Sequence, residues 1–171
     1  MKKIFLSMAF VAIALSSQAQ SLTGSLKELA QAGKAKLEFD YSKAKVHGLS
    51  EDEYCKMFEH DYFKDKPEVL STFNSEFNLA LDNTLVCSQT MESPFTIVVQ
   101  VLEVKNNGTT SCVMHVMKKN ADGTSSEVAT VSDLKKHGGT YGSAMNLMKD
   151  GAKHLGKAAG QYMKKAINKA K

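Results

Sequence analysis

Tyr141, Met145, Met148, Ala152, Leu155, Ala159, Tyr162 and Ala166 stand alternately four and three residues apart. That spacing places all eight on one side of an α-helix about seven turns long. So long an apolar stripe must be buried against something, and the chain therefore has to supply a second layer. Lys149, Lys153, Lys157 and Lys164 run beside the stripe, where water is expected. Gly142, Gly151, Gly156 and Gly160 interrupt it, and each costs about 1 kcal/mol relative to Ala in a helix interior. They point either to close backbone approach or to breaks in the helix. Gly156 and Gly160 form a G-x-x-x-G that carries a lysine and sits in no apolar 20-mer. Close packing of this helix on a sheet is expected, and a membrane dimer is not.

The sheet is sought upstream. Lys36 to Tyr41 alternates charged and apolar residues, as a strand with one wet face does. Phe95 to Lys105 is apolar on both faces, with Phe95, Ile97, Val99 and Val101 on one and Val98, Leu102 and Val104 on the other. It is expected to be central and covered on both sides. Asn106-Asn107-Gly108 and Asp122-Gly123 are hairpin turn signals that link it to strands at Thr110–Lys118 and Ser126–Val131. Thr84–Ser88 is a further short strand. Ser25 to Glu28 and Ser50 to Glu53 have capping-box spacing, each opening a helix. The second of these is expected to fade before Pro67, which would begin another helix carrying Leu70, Phe73, Phe77 and Leu81. The resulting expectation is an α/β domain of the α+β type. A largely antiparallel sheet of four to five strands packs with helices and ends in the long amphipathic helix.

The N-terminus reads as an export signal. Met1-Lys2-Lys3 is basic, Ile4 to Leu15 is apolar, and Ser17 and Ala19 are small where a signal peptidase reads them. Twelve apolar residues are too few for a bilayer, which needs about 20. Residues 1–19 are expected to be cleaved and residues 20–171 to form one domain, exported to the periplasm or secreted, with no transmembrane span. The first cysteine is Cys55, so a lipid-modified N-terminal cysteine is not expected. Loss of Lys2 and Lys3 lowers the net charge from +4 to +2, but the charge is unevenly divided. Residues 20–134 carry −6 and residues 135–171 carry +8, an asymmetry to be read as electrostatics toward the chain itself or a partner. Every cation is Lys; without Arg the usual bidentate reading of phosphate or guanine is missing, so no nucleic-acid partner is expected.

Candidate chemistry is sparse. Cys87 and Cys112 both fall in expected strands and are the most plausible disulfide pairing among three cysteines, although free thiols buried as small apolar side chains are the favoured reading. Cys55, Glu59 and His60 could present ligands on one turn, but nothing nearby in sequence completes a zinc set, so no metal or other cofactor is expected. His115 lies on a strand without a nucleophile elbow or other triad signature. Gly138 and Gly139 precede the last helix, where a glycine turn could hold an anion or simply redirect the chain. Lys149, Lys153, Lys157 and Lys164 are candidate contacts to an anionic surface or acidic partner, or solubilising charge.

The signal ending in Ser17-Gln18-Ala19-Gln20, the all-Lys cations and the order of elements resemble small exported Bacteroidetes proteins of unknown function, of a periplasmic α/β domain type. That resemblance implies residence in the envelope or outside the cell and no known catalysis. The functional expectation is a non-enzymatic exported binding or interaction domain with an envelope or extracellular protein as partner. A hydrolase or small-molecule site assembled from dispersed residues, and an exported effector, are the alternatives. The first alternative requires a pocket that brings His47, His60, His115 or His137 beside carboxylates or Cys55.

Overall fold

The computed structural model describes residues 20–139 and 142–171, and of residues 59–61 the backbone alone. The expected signal segment 1–19 and Tyr141 of the stripe lie outside the described residues. The elements are β1 (Ser21–Gly24), α1 (Lys27–Ala32), β2 (Lys34–Asp40), β3 (Lys45–Val46), β4 (Leu49–Ser50), α2 (Glu51–Leu81), β5 (Val86–Ser88), β6 (Phe95–Val104), β7 (Thr110–Lys119), β8 (Ser125–Lys136) and α3 (Ala144–Ala170).

The α+β class holds, but the sheet is larger than expected and mixed. Eight strands form one sheet in the order β1-β8-β7-β6-β2-β5, with β3 bridging β4 and the end of β6. The meander β6-β7-β8 is antiparallel, as its two turn signals require. β2 runs parallel to both β5 and β6. The cause is the intervening 31-residue helix α2, because a helical crossover returns the chain to the sheet in the same direction. Three pairing partners were not foreseen. β1 is four residues long, and β3 and β4 are two each, too short for any alternation to register.

All three helices lie on one face of the sheet, where Leu37, Phe77, Leu81, Ile97, Val99, Met114, Val116, Val131, Leu155, Met163 and Ile167 are essentially inaccessible. The capping box at Ser50 is present in both directions: Glu53 N–H donates to Ser50 Oγ, and Ser50 N–H to Glu53 Oε2. The expected break before Pro67 is absent. The helix instead kinks at Phe58 (φ −130°, ψ 31°) and runs on through Pro67, which is exposed, so the bond it forfeits lies toward solvent.

The long stripe buries Met148, Ala152, Leu155 and Ala159 as expected, with Met163 and Ile167 added. Its glycines serve close approach, but against α2 more than the sheet. A Cβ at Gly156 would lie 2.6 Å from the Phe73 carbonyl oxygen, and one at Gly160 would lie 2.5 Å from that of Phe77. The paired positions rise together, so α2 and α3 run parallel. Lys149 with Glu68 (2.5 Å) and Lys164 with Asp82 (2.8 Å) span the same seam.

Candidate functional site

Among the described residues the sheet's second face carries no helix. This corrects the expectation that the strand at 95–105 is covered on both sides: Val98 is half-buried and Leu102 is 39% exposed. Val104, assigned to that open face by alternation, is buried in the core. A bulge between Val101 and Glu103 inserts the residue that turns it inward.

Strand register arranges the open face in rows, since cross-strand partners share a face. One row runs Lys36, Thr96, Met117, Glu127. The next runs Glu38, Val98, His115, Thr130, Thr23. A third begins Asp40, Gln100, Val113, and Ser21 and Ser132 pair at the β1 end of the sheet. Val98, Val113 and Met117, grouped around His115 opposite Val98, thus form a half-buried and mainly apolar centre. On one side it is bordered by Lys36, Glu38 and Asp40, and on the other by Glu127, Thr130 and Ser132.

The polar borders are held in place. Gln100 Nε2 donates to Asp40 Oδ2 at 3.0 Å, and Ser42 N–H donates to Oδ1 at 2.8 Å. These bonds, Gln100's first, hold the Asp40 carboxyl down at about 2. Across the face His115 Nδ1 lies 2.5 Å from Glu127 Oε2, and Thr130 Oγ1 donates to Glu127 Oε1 at 2.5 Å. The Thr130 hydroxyl, and then the His115 ring, keep Glu127 below the usual carboxylate range. The order of these groups matters chemically. An activated nucleophile hydrogen-bonds to the imidazole, which the carboxylate orients from behind. Here the carboxylate stands between hydroxyl and imidazole, so the Thr130 proton is directed to Glu127, a weak base, and not to the His115 ring.

A second polar cluster lies at the root of α2. Glu51 Oε1 accepts from the Tyr62 hydroxyl at 2.7 Å and from Lys66 Nζ at 2.6 Å. The Lys66 ammonium also sits 4.3 Å from the centre of the Tyr41 ring. Burial, with Glu51 adding its charge, drives the Tyr41 hydroxyl far above its ordinary range; burial and the bond to Glu51 do the same to Tyr62. Both stay neutral at any ordinary pH. Cys55 and Phe63 share an open cleft of about 360 Å³ with Glu51, Tyr62 and Lys66. The two bonds to Glu51 brace α2 internally, and the Lys66–Tyr41 contact ties α2 to the loop after β2.

The remaining sequence candidates are dispersed. Cys87 and Cys112 are buried and in no disulfide. They sit on β5 and β7, separated by two strands, and six residues apart along the strands. That amounts to about 14 Å across and about 20 Å along the sheet, whereas a disulfide needs Cα atoms within about 7 Å. The candidate Cys87–Cys112 disulfide is therefore corrected in favour of buried free thiols: burial pushes both thiols up to about 12 and leaves them inert. Cys55 is half-buried, and the side chains of Glu59 and His60 lie outside the described residues. Among the described residues no three His, Cys, Asp or Glu side chains converge as a metal set. His47 packs on the Tyr54 ring and His137 shares a hydrogen bond with Thr109 Oγ1 at 2.8 Å. Gly138 packs against Gly108 and the Leu147 carbonyl, and the space beside Gly139 is taken by the Asp150 carboxylate, which disfavours an anion there. Lys149 and Lys164 are spent on α2, and Lys153 and Lys157 are exposed. Sequence reasoning missed the open face because its rows exist only once register is known; the alternation of β2 and of Thr96 to Gln100 was the available signal.

Among the described residues no helix is long and apolar enough to cross a membrane. No protein-family model matches the chain, and no curated protein matches it. Among solved structures the chain is similar to a PelC variant dodecamer from Paraburkholderia phytofirmans, at 12% identity and a TM-score of 0.37, over 80% of this chain and 95% of that one.

Proposed function

We propose that this protein is a non-enzymatic, exported binding domain of the cell envelope or extracellular space, and that it holds a protein partner on the open face of its sheet. The observation that supports this reading is the one-sided layering. Every helix among the described residues covers the same face, while the other presents Val98, Val113 and Met117 between borders of fixed hydrogen bonds. A solvated sheet face is ordinary in itself; an apolar centre ringed by ordered polar groups is the anatomy of an interface. Glu38, Asp40 and Glu127 outnumber Lys36, which pairs with Glu38 at 2.7 Å, so the rim is net acidic and the partner is a protein with an apolar centre and a basic rim. Export rests on the sequence pattern of residues 1–19.

The test is capture from envelope extracts and culture medium by the wild-type protein and by the Val98→Lys/Met117→Lys variant, with circular dichroism checking that both are folded. A partner held by wild type and lost by the folded variant supports the reading. Capture unchanged by the variant, or none by either protein, overturns it.

A further inference from the structure

The helical face is the opposite surface, and it is electrically divided end to end. Residues 51–65, the first half of α2, carry six acids and two lysines, a net of −4. Residues 153–171 of α3 carry six lysines and no acid, a net of +6. The two helices are parallel, with Gly156 against Phe73, so these segments lie at opposite ends of one layer. Phe63 lies ten residues before Phe73, and Lys169 lies thirteen after Gly156, which separates the ends by about 35 Å. The screening length in physiological salt is about 8 Å. The acids before Phe63 therefore cannot neutralise the lysines of the last turns of α3 within one chain, and Lys153, Lys157, Lys165, Lys169 and Lys171 are all exposed without an ion pair among the described residues.

The acidic end also holds three of the large apolar side chains left in water: Met57 is 65% exposed, Phe58 47% and Phe63 61%. They surround the kink at Phe58. Large apolar groups gathered in the open mark an interaction surface more reliably than scattered ones do.

We infer that the helical face is a self-association surface, occupied by a second copy of this chain in an antiparallel, twofold arrangement. A half-turn about an axis normal to the helices lays the acidic end of each copy on the basic end of the other. It does so twice, as a twofold interface requires. The same rotation covers Met57, Phe58 and Phe63 with the lysine stems and Tyr162 of the partner's α3, and long lysine side chains can lie along apolar surface with their charges at the rim. The parallel arrangement stacks like charge on like and is disfavoured. This inference uses the face away from the open sheet, so a dimer would present two binding faces outward.

The experiment is sedimentation or light scattering on the full chain and two charge variants. Asp52→Lys/Asp65→Lys brings the acidic end from −4 to 0; Lys165→Glu/Lys169→Glu lowers the basic end from +6 to +2. Wild type is expected as a dimer at about 100 μM in low salt, shifting to monomer as salt rises. Each variant alone is expected at least tenfold weaker, and an equimolar mixture of the two is expected to form a heterodimer tighter than either variant's own dimer, because one of its two end contacts again pairs −4 with +6. Phe63→Glu, at an exposed site, is expected to dissociate the dimer without unfolding the chain. Wild type that is monomeric at about 100 μM overturns the inference. So does a larger oligomer, a dimer indifferent to all these changes, or a mixture that fails to associate. None of these outcomes bears on partner capture by the sheet face.

Discussion

Substituting Gly156 and Gly160 by Ala asks how closely α2 and α3 approach. On an exposed helix each change would stabilise by about 1 kcal/mol. Here the new methyl at 156 would sit 2.6 Å from the Phe73 carbonyl oxygen, and that at 160 would sit 2.5 Å from the Phe77 oxygen and 2.8 Å from Ala80 Cβ. These oxygen contacts are about 0.8 and 0.9 Å short of ordinary contact at 3.4 Å. The obstructing atoms are backbone, so no rotamer change relieves them, and the overpacking cost belongs near the top of its range, about 3 kcal/mol per site. After the propensity gain, each single variant should lose about 2 kcal/mol. The double variant should lose less than the sum, because one outward shift of α3 relieves both clashes. For a domain of this size, that is a melting temperature lower by about 4–8 °C per single change. Urea unfolding followed by circular dichroism measures it. Variants as stable as wild type, or more stable, would refute the close parallel seam.

The other expectations follow from the same structure. Met148→Ala or Leu155→Ala, both in the core, should cost about 2–5 kcal/mol, while Lys153→Gln, exposed, should change stability by less than about 0.5 kcal/mol in denaturant titrations. Asp40, held at about 2 against an ordinary 3.8, stabilises the fold above the ordinary value and loses that contribution as pH falls toward 2. Gln100→Leu should therefore raise the Asp40 midpoint in a carboxyl NMR titration, and an unchanged midpoint would remove Gln100 as the main cause. Cys87 and Cys112 should resist thiol reagents in the native protein and react on unfolding, with no mobility change on reduction in gels.

The long C-terminal stripe was legible in the sequence because it repeats over many turns, and the β6-β7-β8 meander because Asn107-Gly108 and Asp122-Gly123 mark its turns. The capping box at Ser50 was legible because it is local. Parallel pairing of β2 was not: it follows from α2 crossing the sheet, a relation between distant segments. Val104 was misassigned because a single bulge reverses alternation. Cys87 and Cys112 both fell in strands as expected, but strand order decides whether two strands are neighbours, and that order came from the crossover. The open face was half legible: Lys36, Glu38 and Thr96 to Gln100 alternate, yet only register joins them to His115, Glu127 and Thr130.

The claim that the uncovered sheet face holds a partner is tested most directly by photo-crosslinking in producing cells. A photoreactive residue is placed in turn at Val98, Leu102 and Val113 on that face, and at Ala121 in the exposed β7–β8 turn. The account predicts adducts of one common added mass from the three face positions and none from Ala121. Face positions that give no adduct above the Ala121 background would contradict it.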